Sequence, residues 1–175
     1  MALNFFTTEY AIRIHDKILE ISGGREGIIE YGNIDSPLTH IQNDDYYPTF
    51  EEKLTHLIFS FNKFHAFNDG NKRTSIAMGA FFLEINGLDF FINKFIIEME
   101  NIAVTVADNI INKDLLFEII TSIINEEDYN EILKLKIINA LEQVNPDREN
   151  IDLGTDFYRD LYFLYQDLLV LEQVN

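Results

Sequence analysis

Ten consecutive residues near the middle of the chain, His65-Ala66-Phe67-Asn68-Asp69-Gly70-Asn71-Lys72-Arg73-Thr74, concentrate side chains suited to phosphate chemistry. A glycine beside an asparagine lets the backbone turn tightly and aim successive N–H groups at one point, and a helix starting there adds the positive end of its dipole, which together make an anion nest. Lys72 and Arg73 put positive charge where a triphosphate is negative. Asp69 offers a hard oxygen of the kind Mg²⁺ takes from a protein, usually through only one or two carboxylates. His65 stands at the other end of the run; an imidazole ordinarily exchanges its proton near neutrality, which suits taking the proton of a hydroxyl as it attacks phosphorus, so His65 is the general-base candidate. The spacing alone fits equally a capped turn between two helices with solvated charges.

Such a loop needs helices on both sides, and the periodicity supplies them. Apolar residues recur at three and four nearly everywhere, and period-two alternation is scarce, which reads as an all-α protein. Ala11, Ile14, Ile18 and Ile21 form a first stripe that Gly23-Gly24 closes with a left-handed cap. Asp35 or Ser36 before Pro37 predicts the start of a short second helix, because proline at the first helical position sacrifices no needed N–H. Thr49 and Glu52 have capping-box spacing ahead of Leu54, Leu57, Ile58, Phe61 and Phe64, the helix that leads into His65. The next helix is expected from Asn71 or Lys72 to Glu84, with Ile76, Ala80 and Leu83 inward and Asn86-Gly87 ending it. Further stripes cover Phe95 to Asn109, Leu115 to Ile123, and Ile132 to Leu141; Asn145-Pro146 opens a loop, and an aromatic-rich helix is expected over Phe157 to Leu171. Leu-Glu-Gln-Val-Asn occurs at both 141–145 and 171–175, a coincidence rather than a structural repeat.

Thirteen basic against thirty acidic residues give a formal net charge of -17, and residues 98–175 hold 17 of the acidic and 5 of the basic ones. That charge repels nucleic-acid backbones and anionic membranes, and no compensating basic patch is visible. There is no cysteine, which removes disulfides, thiol nucleophiles and Cys-based metal sites. Met1 to Tyr10 lacks the blocks of a secretory signal and no run approaches the ~20 apolar residues of a bilayer span, so a cytoplasmic protein is expected, with neither nucleic acid nor membrane as partner. His15, His40 and His56 sit on separate expected helices without ligand spacing and are read as structural or surface residues.

The run His65-x-Phe67-x-Asp69-Gly70-Asn71-Lys72-Arg73 resembles the signature of the Fic/Doc family, in its Doc, or death-on-curing, branch. Gly23-Gly24, Gly27, the helix from Ile34 to Ile41, Tyr46-Tyr47-Pro48 and the helix into His65 follow that family's order, so the resemblance spans roughly residues 5–125. It implies a Fic/Doc-like helical bundle as residues 1–125, followed by an acidic helical extension at 126–175. Carried over, His65 becomes the base acting on a target hydroxyl, Asp69 the Mg²⁺ ligand, Gly70, Asn71, Lys72 and Arg73 the cradle for ATP phosphates, Phe67 the hydrophobic anchor of the loop, and residues 43–49 the flap that aligns a target peptide. Relatives that transfer AMP usually carry glycine at the place of Lys72 and often a second arginine where this chain has Ile76. The resemblance therefore implies γ-phosphate transfer by a Ser/Thr kinase-type toxin acting on elongation factor Tu and held by an antitoxin. Gly70, alanine in the best-known Doc pattern, leans toward AMP transfer, and a non-catalytic interaction module is the reading from another class. Ser122 and Glu126 imitate half of an inhibitory motif, but Glu127 follows and the arginine partner is missing, so an ordinary helix end is expected there.

Overall fold

The computed structural model describes residues 3–144 and 153–161, which form an all-α bundle. In chain order the helices are α1 (Thr8–Ser22), α2 (Gly32–His40), α3 (Phe50–Lys63), α4 (Asn71–Ile85), a single 3-10 turn (Asp89–Phe91), α5 (Ile92–Ala107), α6 (Lys113–Ile124) and α7 (Glu131–Leu141). A last helical segment begins at residue 154 and continues to the end of the described chain. The expected loop at Asn145-Pro146, the second Leu-Glu-Gln-Val-Asn and the helix beyond 161 lie outside the described residues.

α4 is the axis of the bundle. Every residue from Thr74 to Leu83 is buried, so this helix is enclosed on all sides rather than amphipathic. Its neighbours are α3, α5 and α1. Gly79 permits the close approach: a Cβ there would lie 2.6 Å from Phe95 Cζ and 3.0 Å from Ile58 Cγ1. Phe82, from the same helix, stacks on Phe50 at 5.0 Å and fastens the start of α3 to the core. The Thr49–Glu52 capping box is formed in full, which fixes where α3 starts and so where its other end delivers His65. Asn86 and Gly87 end α4 as the sequence implies, Gly87 taking a φ of 73°.

Several expectations are corrected. α2 starts at Gly32, five residues before Pro37, because the carbonyl of Tyr31 already accepts from the N–H groups of Ile34 and Asp35 and Asp35 Oδ1 is held by the Thr8 hydroxyl. Proline's liking for the first turn was outweighed by these contacts. Gly23 has positive φ but ψ 168°, so it extends the chain away from α1 rather than curling it into a left-handed cap. Ile21, Phe64, Ile132 and Leu141 end up exposed at the ends or outer faces of their helices.

Candidate active site

The loop between α3 and α4 is pinned from within and from outside. Phe67 is buried in the core, and the Asn71 side chain closes a ring on it, Oδ1 accepting from Phe67 N–H at 3.1 Å and Nδ2 donating to Phe67 O at 2.8 Å. The Phe67 anchor read from the sequence is thus real, and the Asn71 amide, at the first residue of α4, helps to hold the loop's shape. From outside, the stretch after α1 pairs with the loop in an antiparallel bridge between Ile28 and Phe67. Ile29 N–H donates to Ala66 O at 2.8 Å, Asn68 N–H to Gly27 O at 2.9 Å, and Asn68 Nδ2 to Glu26 O at 2.9 Å.

Two glycines make that pairing possible. A Cβ on Gly27 would meet Asn68 Nδ2 at 2.5 Å, and one on Gly24 would meet Asp69 Oδ2 at 2.9 Å; both have φ well inside the positive region. The Asn68 and Asp69 side chains of the loop therefore lie where a Cβ on either glycine would intrude.

Gly70 caps α4 in the left-handed conformation, φ 76° and ψ 2°, and its carbonyl accepts the first helical bond from Thr74 N–H. The backbone N–H groups just after it have no carbonyl behind them within the helix, which is the arrangement that binds anions. Asp69 folds back over this turn: Oδ1 accepts from Gly70 N–H at 2.6 Å and faces Arg73 Nη2 at 3.4 Å, while Oδ2 accepts from Arg25 N–H at 3.3 Å. Burial pushes the Asp69 carboxyl up, but the two backbone donors and the Arg73 cation outweigh it and hold it below its usual value. Arg73 is itself fastened to the end of α1, Nη1 donating to Ser22 Oγ and to Gly23 O at 2.8 Å.

His65 occupies the left-handed region at φ 47°, an uncommon place for a residue with a side chain, and is exposed. It opens on a cleft of about 410 Å³ together with Asp69, Gly70, Asn71, Lys72 and Arg73. All six residues singled out in the sequence therefore line one space. Ile76 is in the floor, and the opposite wall comes from α5 through Glu100, Ala103 and Val104. Tyr158, from the segment after residue 126, closes one side, and Gly154 N–H donates to Glu100 at 2.7 Å. Asn62 donates to Ala103 O at 2.8 Å at the base of the cleft, and its Oδ1 is buried without a protein partner among the described residues.

Two features escaped the sequence reading. His15 is fully buried against the loop, and His56 is buried against residues 43–49, so both are structural residues. His56 stacks beneath Tyr47 at 4.3 Å, with Tyr47 Oη at 2.9 Å and Lys113 Nζ at 3.0 Å from its Nδ1. Lys53, also buried, donates to Ile41 O and to Asp44 Oδ1 at 2.7 Å and ties down the start of the 43–49 segment. Tyr46 is mostly exposed and meets the bundle only through an edge contact with His40 at 5.7 Å, whereas Tyr47 is packed against the core. Burial, with Lys113 and His40 nearby, pushes the His56 imidazole down to about 4. An imidazole whose folded value is depressed stabilises the fold fully above its ordinary value of 6.5, and that stabilisation is lost as pH falls toward 4. Urea midpoints measured across this window should fall more steeply for the native protein than for His56→Gln; equal slopes would contradict the assignment.

The described residues contain no group of three or more His, Cys, Asp or Glu that could hold a metal on protein ligands alone, and no helix long and apolar enough to cross a membrane. The α6 end behaves as an ordinary terminus: Glu126 turns through φ 54° and Ser122 Oγ donates to Glu127 O.

A helical bundle that presents a histidine, an aspartate and the open N-terminus of a central helix on one cleft matches a defined class. Residues 5–83 match the model of the Fic/DOC family. Over 70 residues it is 37% identical to Toxin Doc of Mycolicibacterium smegmatis, an overlap of 38% of this chain and 54% of that protein. The chain thus spans about half the length of the curated relative it matches.

Proposed function

We propose that this protein is a Doc-like toxin that transfers the γ-phosphate of ATP to a hydroxyl of a target protein, elongation factor Tu being the acceptor the resemblance suggests. The observation that carries the reading is the convergence of His65, Asp69 and the α4 N-terminus on one cleft large enough for a triphosphate. In this scheme the phosphates lie against the backbone N–H groups following Gly70, with Lys72 and Arg73 adding charge that a phosphoryl group in transfer needs. His65 takes the proton of the acceptor hydroxyl as its oxygen bonds to the γ-phosphorus, the bond to the β-phosphate oxygen breaks, and ADP leaves. Asp69 fits as the protein ligand of Mg²⁺, since it is held ionised, is about half exposed to the cleft, and a single carboxylate is the usual protein share for Mg²⁺ bound with phosphates. The ion would neutralise charge on the phosphoryl oxygens.

Lys72 at the place where AMP-transferring relatives carry glycine, and buried apolar Ile76 where they often carry a second arginine, favour γ-transfer. Gly70 favours the alternative, AMP transfer to the same hydroxyl, because alanine is the Doc pattern there. An antitoxin protein is the expected partner. We read residues 126–175 as an extension that modifies the groove such a partner would use, since Tyr158 lies at the cleft edge. Incubation with magnesium and ATP labelled at either the γ or the α phosphate, in a lysate and with purified elongation factor Tu, separates the readings. Label from γ on protein is expected; label from α means AMP transfer, and neither, with acceptor in excess, leaves an interaction module.

A further inference from the structure

We propose that His15, fifty residues upstream of the signature, is a positioning residue that sets the orientation of the Asp69 carboxylate; the inference rests on the phosphate-transfer reading above. His15 lies on α1, is 0% exposed, and its ring stacks face to face on Phe67 with centroids 3.6 Å apart and planes within 6°. In that position Nε2 lies 3.0 Å from the backbone oxygen of Asp69. A carbonyl only accepts, so Nε2 carries the proton and donates. On the other side of the ring Nδ1 lies 3.0 Å from the Asp16 carboxylate, a contact that is a hydrogen bond only when Nδ1 also carries a proton.

The carbonyl that His15 grips belongs to the same peptide plane as the N–H of Gly70, and that plane is rigid. In a trans peptide the oxygen and the N–H point in opposite directions, so drawing the oxygen toward α1 aims the Gly70 N–H away from it. There it meets Asp69 Oδ1 at 2.6 Å, the shortest tie that carboxylate makes in the structure. One hydrogen bond from α1 thereby fixes a peptide plane, the plane fixes a donor, and the donor fixes the carboxylate assigned to the metal. The same plane begins the left-handed cap from which the anion-binding N–H groups follow. The site is also crowded toward His15: a Cβ on Gly70 would sit 3.5 Å from His15 Nε2 and 3.0 Å from Leu19 Cδ2.

Two parts of the contact can be separated. His15→Phe keeps a ring to stack on Phe67 and removes the donor; His15→Gln keeps an N–H donor on a side chain of similar reach and gives up the ring. Each variant is compared with the native chain in three measurements: thermal unfolding, Mn²⁺-dependent binding of a fluorescent ATP analogue, and label transfer as a function of magnesium. His15→Phe is expected to need at least tenfold more Mn²⁺ for half-maximal binding and tenfold more magnesium for half-maximal transfer, with unfolding within a few degrees of native. His15→Gln is expected to recover most of the metal dependence even where it unfolds earlier. Native metal dependence in His15→Phe would overturn the proposal, as would losses in both variants that follow only their unfolding temperatures. A native chain that binds no nucleotide with Mn²⁺ defeats the phosphate-transfer reading itself, and this inference with it, whereas a native chain that binds and transfers alongside an unaffected His15→Phe defeats this inference alone.

Discussion

Replacing His65 with alanine is expected to lower protein labelling from ATP by about 10²- to 10⁴-fold, the range a positioned general base contributes, while leaving the unfolding temperature nearly unchanged. The side chain is exposed at the mouth of the cleft, so its removal opens no cavity in the core. The backbone complicates the experiment, because His65 holds φ 47° and alanine is less at ease there than in a helix. Asparagine tolerates this region better than most residues and offers no base of useful strength. His65→Asn should therefore lose as much transfer as His65→Ala, and both should keep nucleotide affinity within a few fold. If His65→Asn retained most of the labelling rate, the imidazole would be shaping the turn rather than taking a proton, and another base would have to be sought in the cleft.

What the chain disclosed in advance follows the range of the interactions involved. The capping box at Thr49 and Glu52, the start of α4 and its end at Asn86-Gly87 were legible because each depends on residues within a few positions. The grouping of His65, Asp69 and Gly70 was legible for the same reason: they are neighbours in one loop. Pro37 misled because a local preference competed with the Thr8–Asp35 bond, which joins residues 27 positions apart. The supports of the loop could not be read at all. His15 reaches Asp69 across 54 residues, Asn68 reaches Glu26 across 42, and Arg73 reaches Gly23 across 50. Nothing in the periodicity of α1 distinguishes His15 from an ordinary buried position, and Gly27 could be placed in a family order without revealing that Asn68 excludes a side chain there. The Asn71 amide was assigned by resemblance to the phosphate cradle, but its ring with Phe67 emerges only once Phe67 is seen to be buried beneath it.

Asp69→Asn is expected to reduce transfer by at least about 100-fold and to raise the magnesium needed for half-maximal activity, and the reasons can be weighed separately. The carboxylate faces three donors, Gly70 N–H, Arg25 N–H and Arg73 Nη2. An amide of the same shape supplies one oxygen, so at least one of these donors would meet an NH₂ group instead. It also removes the negative charge that a divalent cation requires, and Mg²⁺ is bound through one or two carboxylates rather than through amides in phosphate-transfer sites. If loop distortion were the whole effect, adding metal would restore nothing, and thermal unfolding would fall alongside activity. Asp69 is about half exposed, so its ion pair with Arg73 contributes little to stability, and the unfolding temperature should stay close to native. The decisive comparison is Mn²⁺-dependent nucleotide binding: Asp69→Asn should bind the ATP analogue without metal about as well as the native chain, yet gain little when Mn²⁺ is added. An undiminished gain would place the metal elsewhere and remove Asp69 from the transfer step.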